Sequence, residues 1–117
     1  RRFYDPSMLG DAMRDPRFDI REKDLQKAVR GFAESLGWKV AVTWTSLHSP
    51  RGWPDLFMVK NGEAVAIELK REKGKTTPYQ DAWLAELAAV PGVKFAGVIR
   101  PSNWYAGELD AVLGATA

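Results

Sequence analysis

The sequence predicts an α/β domain in which a helix, three strands, a second helix, a fourth strand and a last helix follow in that order. Three observations support this prediction: an apolar repeat at helical spacing, an Asn-Gly pair between two apolar runs, and a Thr-Pro pair ahead of a second helical repeat. The 117 residues are 45% hydrophobic and 27% charged, which is typical of one globular domain with a single core.

The N-terminal half predicts an arm, a helix and a strand. Residues 1–18 show no sustained period and contain two Asp-Pro pairs, so we expect an arm with at most a short helix, and a domain over residues 19–117. Apolar residues at helical spacing then predict a helix of about four turns that ends at Gly37. Alternation from Trp38 to Trp44 predicts the first strand and favours core packing for Trp44 over base stacking.

The C-terminal half predicts a hairpin, a helix, a strand and a short last helix. Asn61-Gly62 separates two apolar runs, which is the strongest short signal for a hairpin. Thr77-Pro78 opens the second helix, because threonine caps a helix well and proline suits its first position. Residues 93–99 then predict the last strand, and Ser102-Asn103 starts the last helix.

The residue content excludes several kinds of site. The chain has no cysteine, which excludes disulfides, thiolate catalysis and a cysteine zinc site, and its lone histidine argues against a histidine zinc site. No stretch reaches the ~18 apolar residues that a membrane helix needs, so we expect a cytoplasmic protein with no membrane partner. The net charge is only +2, but residues 70–75 carry four positive charges and one negative charge.

The predicted hairpin places two carboxylates face to face. If Asn61-Gly62 is a two-residue turn, Asp55 lies directly opposite Glu68, and Lys70 points to the same face as Glu68. Like charges opposite each other destabilise a sheet, and these two lie on apolar strands that predict partial burial. A cation between them is therefore expected, and Mg²⁺ suits a site made of one or two carboxylates.

The residues at this end of the hairpin resemble a known nuclease motif. Pro54-Asp55 followed by Glu68-Leu69-Lys70 resembles the PD-(D/E)xK pattern of the restriction-endonuclease-like nucleases. A wider set is similar to the virus-type replication-repair nuclease (VRR-NUC) family: Glu22 with Gln26, Gly37-Trp38, the segment Gly52 to Leu56, Ile67 to Lys70, Gln80 with Trp83 and Leu84, and Arg100 to Ser102. The resemblance implies a restriction-endonuclease-like mixed β-sheet flanked by helices, and a metal-dependent endonuclease that hydrolyses DNA.

The resemblance also implies a role for each motif residue. Asp55, Glu68 and the Leu69 carbonyl would hold Mg²⁺ or Mn²⁺, and Lys70 would serve the attacking water. Glu22 would be an acid of the first helix beside the metal, and a glutamine at position 80 would lie near the catalytic lysine. Stand-alone members of the family resemble dimeric Holliday junction resolvases, so we expect branched DNA as the partner and a homodimer as the assembly.

Two of these residues have competing local explanations. Glu22 lies three residues after Asp19, and Gln80 lies three residues after Thr77, so each also fits the third position of a capping box. A capping side chain and a catalytic side chain make different contacts. The sequence leaves both roles open at both positions.

Basic and aromatic residues near the motif are the expected DNA contacts, because cations neutralise phosphate and aromatic rings stack on bases. They are Arg51, Trp53, Lys60, Arg71, Lys73 and Lys75. Two alternatives to a structure-selective DNA endonuclease remain open. One is a DNA-binding module of the same fold without catalysis, and the other is a nuclease acting on flaps, single-stranded DNA or RNA.

Overall fold

The helices and strands follow the predicted order, with one addition near the C-terminus. A computed structural model describes residues 15–44 and 46–115. The helices are α1 (Glu22–Ser35), α2 (Pro78–Ala88), α3 (Pro101–Tyr105) and α4 (Glu108–Leu113), and the strands are β1 (Lys39–Val42), β2 (Leu56–Lys60), β3 (Glu63–Leu69) and β4 (Val93–Ile99). Short 3-10 helices cover Pro16–Asp19 and Ser46–His48. Most of the predicted arm, residues 1–14, lies outside the described residues, and the domain boundary at residue 19 stays a prediction.

The four strands form one mixed sheet in the order β1-β2-β3-β4. The first two pairs are antiparallel, and β3 and β4 are parallel. Helix α2 connects the two parallel strands and packs against β4. Because parallel neighbours end at the same edge of a sheet, the segments after Leu69 and Ile99 leave the sheet side by side. The predicted mixed sheet flanked by helices is confirmed.

The β2–β3 hairpin has the register that its turn predicts. Lys60 pairs with Glu63, and Leu56 pairs with Ile67. Asn61 and Gly62 have φ values of 50° and 80°, and a type I′ turn requires positive φ at both central positions. The same register places residue 55 opposite residue 68, at the end of the hairpin away from the turn.

One face of the sheet is covered by α1 and α4. The fully or almost fully buried side chains of this core are Leu25, Val29 and Ala33 of α1, Leu109 and Leu113 of α4, and Leu56, Met58, Val65, Ile67, Leu69 and Ile99 of the strands. Each buried side chain of leucine size stabilises the fold by roughly 1.5–3 kcal/mol before entropy is counted. Trp38 Nε1 donates to the Leu113 carbonyl at 3.0 Å, which ties the start of β1 to α4.

The other face of the sheet is covered by α2. Phe57 and Ala66 are paired neighbours whose side chains alternate with the core positions, so they point to this second face. The Trp53 ring contacts Phe57 at 5.6 Å and Trp83 of α2 at 5.1 Å between ring centroids. Glu68 lies two residues beyond Ala66 on β3. Its side chain therefore also points toward α2.

Two predictions about single elements are wrong. The last helix is two helices, because Gly107 adopts a φ of 77° between α3 and α4 and interrupts the helical backbone. Strand β1 ends at Val42, and Trp44 is 76% exposed instead of packed in the core. In the part of the chain that the structure describes, no helix has the length and apolarity needed to cross a membrane.

Candidate active site

Asp55 and Glu68 lie opposite each other where the β2–β3 hairpin ends. Asp55 directly precedes β2, and its Oδ2 accepts the backbone N–H of Leu69 at 2.8 Å. Glu68 is only 3% exposed. Two like charges this close, one of them buried, need a cation or a shared proton between them.

Burial and mutual repulsion raise the pKa values of this pair. Burial first, and then the charge of Asp55, raise the pKa of Glu68 to about 8. Burial also raises the pKa of Asp55, although the Leu69 N–H opposes this by favouring the ionised form. At neutral pH the two carboxyl groups therefore share a proton unless a cation replaces it.

Lys70 and Gln80 both contact Oε2 of Glu68. Lys70 Nζ lies 3.6 Å from this oxygen, and its side chain is only 15% exposed. Gln80 Nε2 donates to the same oxygen at 2.8 Å, while Gln80 Oε1 accepts the backbone N–H of Thr77 at 2.9 Å. The capping box predicted for Gln80 is therefore confirmed, and the same side chain also contacts Glu68. Its catalytic role stays a prediction.

Glu22 lines an open cleft of about 410 Å³ together with Asp55 and Leu69. The capping box proposed for it with Asp19 does not form, because Arg21 is the N-cap of α1 and no side chain caps this helix. Glu22 does not form a three-residue metal-binding cluster with Asp55 and Glu68, because no three His, Cys, Asp or Glu side chains do so among the described residues. A ligand role for Glu22 stays a prediction.

Gly52 allows the loop before β2 to touch the start of α2. Its φ is 87°, and a Cβ at this position would lie 2.5 Å from the backbone carbon of Tyr79 and 2.8 Å from the nitrogen of Gln80. Any side chain would push the two segments apart. The absence of one lets the loop that carries Asp55 approach the helix that carries Gln80.

Arg100 holds the basic loop that follows β3. Its Nη1 donates to the carbonyl oxygens of Arg71, Glu72 and Gly74 at 2.8, 3.3 and 2.6 Å. In return, Glu72 Oε1 accepts the backbone N–H of Ser102 at 3.0 Å. The sequence alone gives no sign of this role, because it depends on the parallel β3–β4 pairing, which brings the ends of both strands to one edge.

The predicted DNA contacts fall into separate groups. Arg71, Lys73 and Lys75 are exposed on the loop that starts at Lys70, beside the carboxylates. Lys60 lies at the turn end of β2, where its Nζ donates to the Leu36 carbonyl at 2.6 Å. Five residues of extended chain, about 17 Å, separate it from Asp55. The expectation that Lys60 lies beside the site is therefore wrong.

Arg51 and Trp53 flank the motif on its N-terminal side. The Arg51 guanidinium lies 4.3 Å from the centroid of the Tyr79 ring, so it is held at the start of α2. Trp53 is half-buried against Phe57 and Trp83. The ring thus has a packing role of its own, and its contact with DNA stays a prediction.

The donors at the cleft fit a hard divalent cation. Asp55 and Leu69 line the cleft, the Leu69 N–H donates to Asp55, and Glu68 lies opposite Asp55 in the hairpin. A ligand role for the Leu69 carbonyl stays a prediction. Oxygen donors of this kind suit Mg²⁺ and Mn²⁺. A cation at the pair would take the place of the shared proton and offset the repulsion between the carboxylates.

Comparison with known proteins identifies the fold. No family model matches the chain, and no curated protein matches its sequence. A solved structure described as a "VRR_NUC domain" matches with a TM-score of 0.58 and 22% sequence identity, over 74% of this chain and 92% of that one. The chain therefore has the same fold as this VRR_NUC domain, as the resemblance in its motifs implies.

Proposed function

We propose that this protein is a metal-dependent endonuclease that hydrolyses DNA phosphodiester bonds, with a preference for branched DNA. The observation that carries the proposal is the contact of Asp55, Glu68 and Lys70 at one end of the hairpin, beside an open cleft. An acidic pair with one buried carboxylate, and a lysine 3.6 Å from that carboxylate, has no packing purpose and costs stability unless a cation or a shared proton lies between the two groups. The nuclease-type fold supports the same conclusion.

Each residue at the site has a distinct task under this proposal. Asp55 and Glu68 hold a divalent ion, with Mg²⁺ or Mn²⁺ as the best fit. When bound, such an ion supplies Lewis-acid chemistry, which activates water and stabilises the charge of the phosphate and the leaving oxygen. As an ammonium, Lys70 orients the attacking water and favours negative charge on the phosphate; as a neutral amine it would instead accept the proton of the water. Gln80 fixes the orientation of Glu68 through its donated hydrogen bond.

The basic loop at residues 70–75 supports DNA as the substrate. Its exposed cations, Arg71, Lys73 and Lys75, neutralise backbone phosphates next to the carboxylates. Arg100 keeps the backbone of this loop in place through three of its carbonyl oxygens. Binding should consequently weaken as salt rises.

The test is a cleavage panel on the wild-type protein. Labelled four-way junction, flap, splayed arm, linear duplex and single-stranded DNA are incubated with Mg²⁺, Mn²⁺ or EDTA. Paired symmetric nicks in the junction, absent in EDTA, would support a junction resolvase and a homodimer with two sites. Cleavage of flaps or single strands alone would keep the nuclease and change its substrate. DNA binding with no cleavage under any condition would overturn the proposal in favour of a non-catalytic DNA-binding module.

A further inference from the structure

Trp44 is an exposed tryptophan at the rim of the cleft. Its side chain is 76% exposed, whereas Trp38, six residues earlier, is only 4% exposed in the core. Trp44 lines the cleft that also contains Glu22 and Asp55. Among the residues that the structure describes, none covers this indole, which therefore provides an apolar surface in water beside the carboxylates.

A row of cations on α1 lies next to this ring. Lys23, Lys27 and Arg30 are spaced by four and three residues, so they share one face of the helix. With Trp44 they line a second cavity of about 270 Å³. Arg30 also pairs with Glu34 at 3.3 Å, and its guanidinium lies 5.9 Å from the centroid of the Trp44 ring. Within the described part of the chain, neither Lys23 nor Lys27 forms an ion pair.

The two cavities adjoin each other. Both are lined by Lys23, Gln26 and Trp44, so the groove beside α1 leads into the cleft that contains Asp55. The cations of this groove belong to α1, whereas Arg71, Lys73 and Lys75 belong to the loop that follows β3. A flexible chain leaving the cleft therefore meets an exposed ring first and a row of cations next.

We propose that this groove, formed by Trp44 and the Lys23, Lys27 and Arg30 face of α1, binds an unpaired DNA strand next to the scissile phosphate. Aromatic rings that stack on bases and cations that follow the backbone are the two features by which proteins hold single strands. The ring stacks on an unpaired base, which a fully paired duplex does not offer. The lysines neutralise the phosphates that follow. The inference rests on the proposed nuclease function and specifies which part of a branched substrate this site recognises.

The experiment measures equilibrium binding by fluorescence anisotropy, in EDTA to prevent cleavage. The probes are a labelled single strand and a fully paired duplex of the same length. Trp44→Ala is expected to weaken single-strand binding about tenfold and to change duplex binding less than about twofold. Trp44→Phe retains a stacking ring and should stay within about threefold of the wild type. Because the ring is exposed, both variants should keep the wild-type circular dichroism spectrum.

A second arm tests the cations. The double variant Lys23→Gln/Lys27→Gln should reduce the slope of log K against log salt for the single strand by about 1.4, since each released phosphate contact contributes about 0.7. Lys39→Gln is the matched control: Lys39 is an exposed lysine paired with Val59, toward the turn end of the sheet. The slope of log K against log salt measured for Lys39→Gln should equal that of the wild type.

The outcomes separate this inference from the proposed function. Suppose that the wild type cleaves DNA with metal. If Trp44→Ala then binds both probes as tightly as the wild type, or if its affinity falls equally for the single strand and the duplex, the groove proposal is wrong and the nuclease proposal stands. An unchanged salt slope in the double lysine variant would overturn the groove proposal in the same way. If the wild type binds neither probe but cleaves a substrate of the panel with metal, only the groove proposal is overturned. If it neither binds the probes nor cleaves any substrate, both proposals are overturned.

Discussion

Gln80 joins the start of α2 to Glu68 through one side-chain amide. Its Nε2 donates to Glu68 Oε2 at 2.8 Å, and its Oε1 accepts the Thr77 N–H at 2.9 Å. Because the oxygen is held by the cap, the nitrogen has to face the carboxylate. The helix cap therefore determines which atom of Gln80 is presented to the proposed metal site.

Thr77→Ala and Gln80→Ala should separate the cap from the contact with Glu68. Loss of the Thr77 hydroxyl should lower the free energy of unfolding by ~1 kcal/mol and leave Mn²⁺ affinity unchanged, because Gln80 keeps its donor. Gln80→Ala should lower stability by a similar amount and also reduce Mn²⁺ affinity or cleavage about tenfold, as expected when a residue that orients a ligand is lost. Urea unfolding and calorimetric Mn²⁺ titration measure the two effects. Equal metal affinity in both variants would contradict the role given to Gln80.

Glu68 should make stability without metal depend on pH. The pKa of Glu68 is about 8 in the folded protein and near its ordinary value of 4.5 in the unfolded chain. Between these values the folded state keeps a proton that the unfolded state has released, so the free energy of unfolding falls as pH rises through this window.

Urea unfolding in EDTA at about pH 5 and about pH 8 measures this effect. Glu68→Gln should show a smaller fall than the wild type, and Glu63→Gln, an exposed position on the same strand, should match the wild type. Added Mg²⁺ should stabilise the wild type more at the higher pH, because the ion replaces the proton. A pH dependence equal in the wild type and Glu68→Gln would show that the pair does not share a proton.

Gly52→Ala should damage the site more than Gly62→Ala, although both glycines have positive φ. An added Cβ at residue 62 meets nothing within 4 Å, so only the strained backbone matters, at about 1 kcal/mol. At residue 52 the Cβ would lie 2.5 Å from the Tyr79 backbone, which should bring the total to about 2–4 kcal/mol. Cleavage should fall in Gly52→Ala alone. Similar unfolding curves for the two variants would mean that the loop and α2 are not in close contact.

Arg100→Gln should loosen the basic loop without unfolding the domain. Loss of its three carbonyl contacts should lower the free energy of unfolding by about 1–2 kcal/mol and speed hydrogen exchange of amides 71–75. Arg17→Gln, which removes an arginine paired with Asp15 at 2.6 Å, is the control and should leave those amides unchanged. Unchanged exchange in Arg100→Gln would contradict the role of Arg100 in fixing the loop.

Features that depend on neighbouring residues could be predicted from the sequence. Asn61-Gly62 determines the hairpin turn, and the turn alone fixes which residues lie opposite each other. The pairing of Asp55 with Glu68 could therefore be deduced by counting residues outward from the turn. The cap at Thr77-Pro78 is equally local, since its contacts span three residues. In such cases the physical cause lies within one segment of chain.

Features that depend on packing between distant segments could not be predicted. Lys60 is near the motif in the sequence, but the length of β2 carries it to the opposite end of the sheet. The exposure of Trp44 depends on β1 ending at Val42, and alternation of apolar residues alone gives no sign of that end. Arg100 contacts carbonyls about thirty residues earlier, through a parallel pairing that only the three-dimensional structure reveals.

The most direct test of the central claim compares Lys70→Met with Lys94→Met in metal-dependent DNA cleavage. Both lysines lie 3.6 Å from a glutamate, but Lys70 contacts Glu68 at the cleft and Lys94 contacts Glu63 at the other end of the sheet. Lys70→Met should lose about 100-fold or more in cleavage rate with Mg²⁺ or Mn²⁺ while keeping DNA binding and fold, and Lys94→Met should cleave like the wild type. Full activity in Lys70→Met would contradict the assignment of the active site.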